Sequence, residues 1–347
     1  MLAAGLALAS GACFLWALAT GPARPFALAE AWRGGLAELG LAAPLPGRDQ
    51  VILGLRAVRA LAALGVGAAL SLSGAYLQGL FRNPLASPGV LGVTAGASLG
   101  ASLAIAALGG LGPGVGLAGH GLGAQTLVTL CALLGALAVI APLLFVAGGA
   151  GRLSVPALLL AGMAVNTLCA GLLAALQSFV LSDFEVARAL FAWTFGTLDD
   201  RAGGQVALVF GALALGLAAI PLVAFELDLF AGGEEDAEAL GVSVGRVRAV
   251  VLLVSALLAA AAVSVAGQIG FVGLLVPHLM RMLSGTSHRS LLGLSALGGG
   301  LLVLGTDCLQ RRFLPDVDLR PGVVMSLIGA PFFLLLLARK RTELASW

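Results

Sequence analysis

GAALSLSGAYLQGLFRNPLASPGVLGVTAGASLGA, Gly67 to Ala101, holds two apolar stretches on either side of a short segment with two prolines. Ser71, Ala75 and Gly79 recur every four residues in the first stretch, and Gly92, Gly96 and Gly100 do so in the second. That spacing puts side chains on one face of a helix. A face of small residues lets another backbone approach closely, which is how helices associate in lipid, where no hydrophobic drive separates helix from solvent. The stretch therefore predicts membrane helices in tight contact. With 50 glycines in the chain, some such spacings arise by chance, so the contacts themselves are the test.

Composition extends this reading to the whole chain. It is 60% hydrophobic and 10% charged, with a mean hydropathy of +1.06, whereas a soluble domain carries about a quarter charged residues. At about 20 apolar residues per crossing, 347 residues leave room for roughly ten spans. Apolar runs lie near Leu2–Thr20, Ala57–Phe81, Val90–Leu111, Leu127–Val146, Ala157–Leu181, Val206–Phe225, Val247–Gln268, Phe271–Leu283, Leu291–Leu304 and Val323–Ala338. The expectation is one all-α, polytopic domain over residues 1–347, with Leu2–Thr20 a retained helix. Phe271–Leu283 and Leu291–Leu304 are too short to cross as straight exposed helices, so neighbours must shield them. An even count puts both termini on one side, and Arg339-Lys340-Arg341 argues that this side is cytoplasmic. The two sets of loops carry nearly equal numbers of Lys and Arg, so the positive-inside rule does not decide. The excess outer arginines, including Arg56, Arg59, Arg311 and Arg312, complement lipid head groups or await an acidic partner. Cys13, Cys131, Cys169 and Cys308 stand singly, without metal or redox spacing. A net charge of +2 with scattered basic residues gives no ground for a nucleic-acid partner.

Polar residues inside apolar runs need partners. Asn166 and Gln177 lie on one run and Gln78 near the inner end of another; each bonds a neighbouring helix or lines a watery path. Between the runs, FEVARALFAWTFGTLDDR, up to Arg201, predicts a helix lying at the outer surface. The stretch from Phe225 to Val247 is polar in a chain of short loops. Within it Glu234 to Leu240 has good helix formers, acidic residues early where the helix dipole favours them, and Gly241 as a stop. An exposed short helix there is a docking element or a solvated loop. GFVGLLVPHLMRMLSGTSHRS, Gly270 to Ser290, brings Pro277, His278, Arg281, His288 and Arg289 close together in sequence.

Chemistry of its own is hard to place on this chain. The one lysine, Lys340, follows no phosphate-binding glycine loop, so the chain is not a P-loop ATPase by itself. An ion-coupled carrier usually has carboxylates or histidines near the midplane; here the acidic residues fall almost wholly in loops or at helix ends, Asp307 being the nearest exception. His120 is isolated, and His278 and His288 have no carboxylate or cysteine between them, so no metal site and no catalytic residue is expected. What remains is a pathway-forming subunit driven by a separate ATPase that pushes on the polar loop, with an ion-coupled secondary transporter as the rival.

The chain resembles the FecCD-type permeases, the membrane subunits of type II ABC importers for ferric siderophores, haem and vitamin B12. The resemblance rests on RAVR at Arg56–Arg59, the opening stretch, LLLAGMAVN at Leu158–Asn166, GGEEDAEALGV at Gly232–Val242, GQIGFVGLLVPHLMR at Gly267–Arg281, GTSHR at Gly285–Arg289 and PGVVMSLIGAPFFLLLLAR at Pro321–Arg339. It implies a homodimer of ten-helix subunits in the bilayer of a bacterial inner membrane. Two cytoplasmic ATPase subunits using ATP and Mg and an external substrate-binding protein complete the assembly, and this chain binds no cofactor. Coupling to the ATPase maps to residues 228–248, with Glu234, Glu235, Glu238, Leu240 and Gly241 in or beside its groove. A cytoplasmic gate maps to Asn83, Pro84 and Leu85 with Ser154 and Val155. Binding-protein docking maps to Arg56, Arg59 and Arg311. Asn166, Gln177 and Met163 are candidates for lining the pathway, and ferric siderophore is the first expected cargo, with haem and cobalamin next. Two motifs depart from the family: RAVR lacks the usual proline, and Asp318-Leu319-Arg320-Pro321-Gly322 shifts a proline and adds a charge.

Overall fold

The computed structural model describes all residues except 22–23, 39, 110–122, 149–154, 181, 315–316, 318 and 340–347, with backbone alone for 143–148, 155–156 and 336–339. The described secondary structure is helical throughout: α1 (Leu2–Ala19), α2 (Leu28–Glu38), α3 (Arg48–Phe81), α4 (Val93–Leu108), α5 (Ala124–Gly148), α6 (Val155–Val180), α7 (Phe184–Thr194), α8 (Gly203–Ala218), α9 (Ile220–Leu229), α10 (Glu234–Ala239), α11 (Val244–Ala266), α12 (Val272–Ser284), α13 (His288–Phe313) and α14 (Pro321–Arg339). Six helices are long and apolar enough to cross a membrane. A seventh span comes from α8 and α9, bent by 52° where Pro221 interrupts the ladder, and α4, α12 and α14 supply three shorter apolar helices. Among the described residues these make ten apolar segments, in line with the ten apolar runs of the sequence.

The long helix α3 runs through the middle and packs on α13, α11, α12 and α8. It reaches this position because it is nearly free of bulk on the contact faces. A Cβ on Gly67 would overlap the carbonyl of Gly299 in α13, and one on Gly74 would overlap that of Gly273 in α12. The predicted row Ser71, Ala75, Gly79 is buried; Ser71 lies against Gly299 and Gly79 against the ring of His288. The second row behaves likewise. Gly96 and Gly100 of α4 meet Gly135 and Cys131 of α5 at backbone distance. Both runs of small residues are therefore helix contacts.

Boundaries differ from expectation in three places. Val90 and Leu91 belong to a 3-10 turn, Pro88–Leu91, and α4 begins only at Val93. α3 begins at Arg48 because α2 covers its first turns: Gln50 Nε2 donates to the Gly34 carbonyl and the Glu38 carboxylate, and Leu53 packs into a small core with Leu18, Phe26 and Ala31. The run expected to be short at Leu291–Leu304 is the 26-residue α13. Its polar end stays helical because Arg311 pairs with Asp307 one turn back, at 2.9 Å.

The other short run is short indeed. α12 has 13 residues, and its apolar side is buried against α3 and α13. Pro277 sits inside it and has no N–H, which orphans the carbonyl four residues earlier. Gln78 answers this: its Nε2 donates to the carbonyls of Gly273 and Leu274 at 3.3 and 3.2 Å, while its Oε1 accepts from Arg281 at 3.3 Å. Gln78 is a structural amide, and Pro277 and Arg281 are parts of the same crossing.

Candidate functional site

At one end of the bundle α10 projects between α9 and α11. Gly233, with φ +128°, turns the chain into it, and Glu234, Glu235 and Asp236 occupy its first turn, where the partial positive charge of the N-terminus favours them. Gly241, with φ +88°, ends it, and the N–H groups of Gly241 and Val242 return to the carbonyls of Glu238 and Ala237; only a glycine adopts that left-handed position without strain. Ala237 is buried beneath, and Glu234 receives Arg248 of α11 on both oxygens at 2.7 and 2.9 Å. The outward side carries Glu235, Glu238, Leu240 and Gly241, all exposed, Leu240 by 67%. A small rigid knob results, acidic with one apolar tip, fixed to α11 and open to a partner.

The predicted gate residues lie at this same end. Arg82, in a left-handed conformation, ends α3. Asn83 then folds the loop by accepting the Leu85 N–H on its side chain at 2.9 Å, and its carbonyl accepts the Ala86 N–H. Leu85 is left 46% exposed. Ser154 lies outside the described residues, and Val155 opens α6.

The opposite end holds the arginines expected to dock a binding protein, but it holds them inside. Arg56 is buried and donates to the carbonyls of Leu18 and Arg24 at 2.8 and 2.7 Å, beside the ring of Phe26. Arg59 chelates the buried carboxylate of Asp307, with Nε and Nη2 at 3.0 and 2.7 Å from Oδ1, and also pairs with Asp199. Arg311 takes the other oxygen of Asp307 and reaches the carbonyls of Ala17 and Thr20. The expectation of exposed docking charges is corrected accordingly: a carboxylate inside an apolar helix needs counter-charges, and Asp307 draws two of the three arginines inward. Asp307 is visible in the sequence, but its pairing with Arg59 across 248 positions is not, although Arg311 stands only four residues on; the sequence also gives no sign of the role of Asp199 (the side chain is 46% exposed), which lies 3.8 Å from Arg320 as well. Arg201 ties the same loop to the end of α11 through the Val265 carbonyl at 2.9 Å.

On α6 the pathway candidates separate. Asn166 Nδ2 donates to the Gly89 carbonyl at 2.8 Å, with Val90 at 3.4 Å, so it fastens α6 to the 3-10 turn. Gln177 is half-buried, whereas Met163 is 55% exposed, one of several apolar residues that α6 leaves open, Leu160, Leu168 and Phe179 among them. The surface helix expected after Asp183 is α7, capped by the Asp183 carboxylate on the N–H groups of Glu185 and Val186.

These features define a polytopic helical permease with an exposed docking knob at one end and a closed charge network at the other. Residues 9–339 match the FecCD transport family. The chain is 40% identical to the hemin transport system permease protein HmuU of Yersinia pestis over 84% of each chain. It is also 40% identical to the cobalamin import system permease protein BtuC of Halobacterium salinarum, over 85% of this chain and 77% of that one. An inward-facing ABC transporter assigned to the metal-chelate type superposes with a TM-score of 0.79 at 29% identity, covering 97% of this chain and 98% of its own. The chain belongs to the FecCD transport family of ABC importer permeases. The rival reading, an ion-coupled secondary transporter, falls with that membership.

Proposed function

We propose that two copies of this chain enclose the translocation pathway for a metal chelate, that α10 is the element gripped by a cytoplasmic ATPase, and that the arginine end receives a substrate-binding protein. The observation that carries the reading is α10: a short helix anchored by Ala237 and Glu234 yet exposed on its other side can pass on the movement of a partner as rigid-body displacement of α11. The membrane would be the bacterial inner membrane, with both termini cytoplasmic. ATP and Mg belong to the ATPase, and this chain has no cofactor of its own. Equal identity to permeases named for hemin and cobalamin supports the class of cargo without choosing within it. Ferric siderophore belongs to the same class, and the choice is assigned to the binding protein. Docking is proposed at Arg59, beneath the half-exposed Asp199, and at Arg320; Arg56 and Arg311 support that surface from within. The open apolar residues of α6, Met163 among them, are offered to the second copy and the pathway, and the Asn83–Leu85 loop to the gate.

Reconstitution in proteoliposomes tests the reading. Uptake of a ferric siderophore, haem or cobalamin should require ATP together with the ATPase subunit and should survive an ionophore. Glu235→Arg combined with Leu240→Arg, both on the exposed side of α10, should abolish uptake in a chain that still folds. Full uptake by that variant would remove α10 from the mechanism.

A further inference from the structure

At the α10 end, α3, α9, α12 and the turn between α12 and α13 line an open cavity of about 590 Å³. Arg82, Arg281, His278 and His288 stand in its wall, and a single carboxylate, Asp228, faces them. That carboxylate is already committed: Oδ1 accepts the His288 backbone N–H at 2.8 Å and lies 2.6 Å from His288 Nδ1, and Oδ2 lies 3.5 Å from the Ser287 hydroxyl. Asp228 thus closes the start of α13, and among the described residues it makes no ion pair with either arginine. Arg281 reaches the neutral Gln78 Oε1 at 3.3 Å. Arg82, held at the end of α3 with φ 49°, has no carboxylate paired with it among the described residues. Two guanidinium groups therefore line one concavity at the ends of membrane helices against a single carboxylate, which leaves an excess of positive charge there.

Guanidinium forks match phosphate oxygens in geometry as well as charge. Basic pockets between transmembrane helices near the membrane surface hold phosphate-bearing head groups. We propose that this cavity binds a phosphate group, carried by an anionic phospholipid or free in solution, with Arg82 and Arg281 as its ligands and Thr286 on the lining beside them. Occupancy would tie the end of α3, just before the Asn83–Leu85 loop, to α12. Neither the site nor its test depends on whether α10 is gripped by an ATPase.

The probes are phosphatidylglycerol, phosphatidylcholine and inorganic phosphate, applied to the delipidated full-length chain. Native mass spectrometry reads lipid retention, and the shift in melting temperature reads phosphate. Wild type should retain phosphatidylglycerol over phosphatidylcholine, and Arg82→Gln and Arg281→Gln should each weaken retention about tenfold or more, as loss of a charge-assisted contact does. Arg312→Gln, at the exposed far end of α13, should not. A response to inorganic phosphate alone, lost in the same two variants, supports the proposal with free phosphate as the source. Should Arg281→Gln fail to fold, Arg82→Gln decides. Equal retention of both lipids with no phosphate response, or binding unchanged by Arg82→Gln, overturns the site.

Discussion

Asp307 shows how one side chain reorganises the reading of many. Its carboxylate is almost wholly buried between Arg59 and Arg311, so the three form a unit in which attraction offsets desolvation only while all are present. Asp307→Leu should therefore cost about 3–5 kcal/mol by removing the buried counter-charge that two guanidinium groups share, read as a fall in melting temperature in detergent. Asp199→Asn, at a half-exposed partner of Arg59, should cost about 0–1 kcal/mol. Gln78→Leu strands the carbonyl that Pro277 leaves open and should cost about 1–3 kcal/mol; a melting temperature equal to wild type would dissociate Gln78 from the proline. The identity of such residues was legible in the sequence, but their partners were not. An arginine near the end of an apolar run looks the same whether its carboxylate belongs to another protein or to a helix about 250 residues on.

At the scale of elements, contacts made by absence of bulk were the most legible. The four-residue rows in α3 and α4 announced close approach, and α10 announced both its start and its glycine stop, because backbone rules alone govern them. The lengths of α3 and α13 were not legible: hydropathy ends where charge begins, and these helices continue because Gln50 bonds Gly34 and Glu38 of α2 while Arg311 pairs with Asp307. The packing account separates two glycines. Gly74→Ala pushes a methyl into the Gly273 carbonyl and should destabilise by about 1–3 kcal/mol. Gly171→Ala on α6 meets nothing and should be neutral or slightly stabilising through helix propensity. Equal effects of the two on melting temperature would show that α3 and α12 are not in backbone contact.

Across the whole molecule, α11 joins the two ends. Its first turns hold α10 through the Arg248–Glu234 pair, and its last carbonyls hold the loop that carries Asp199: Ala266 accepts the Thr197 N–H at 2.8 Å and Val265 accepts from Arg201. Between these anchors it is buried against α3, α5 and α8, so a displacement at α10 has a stiff route to the arginine end. In the reconstituted importer, Arg201→Gln should loosen that far anchor. Hydrolysis of ATP without binding protein should persist, because α10 is untouched, while its stimulation by loaded binding protein should fall severalfold. Stimulation at the wild-type level would mean that α11 does not link the ends, and the connection would then have to run through α3 and α13, which the Arg59–Asp307 pair also joins at that end.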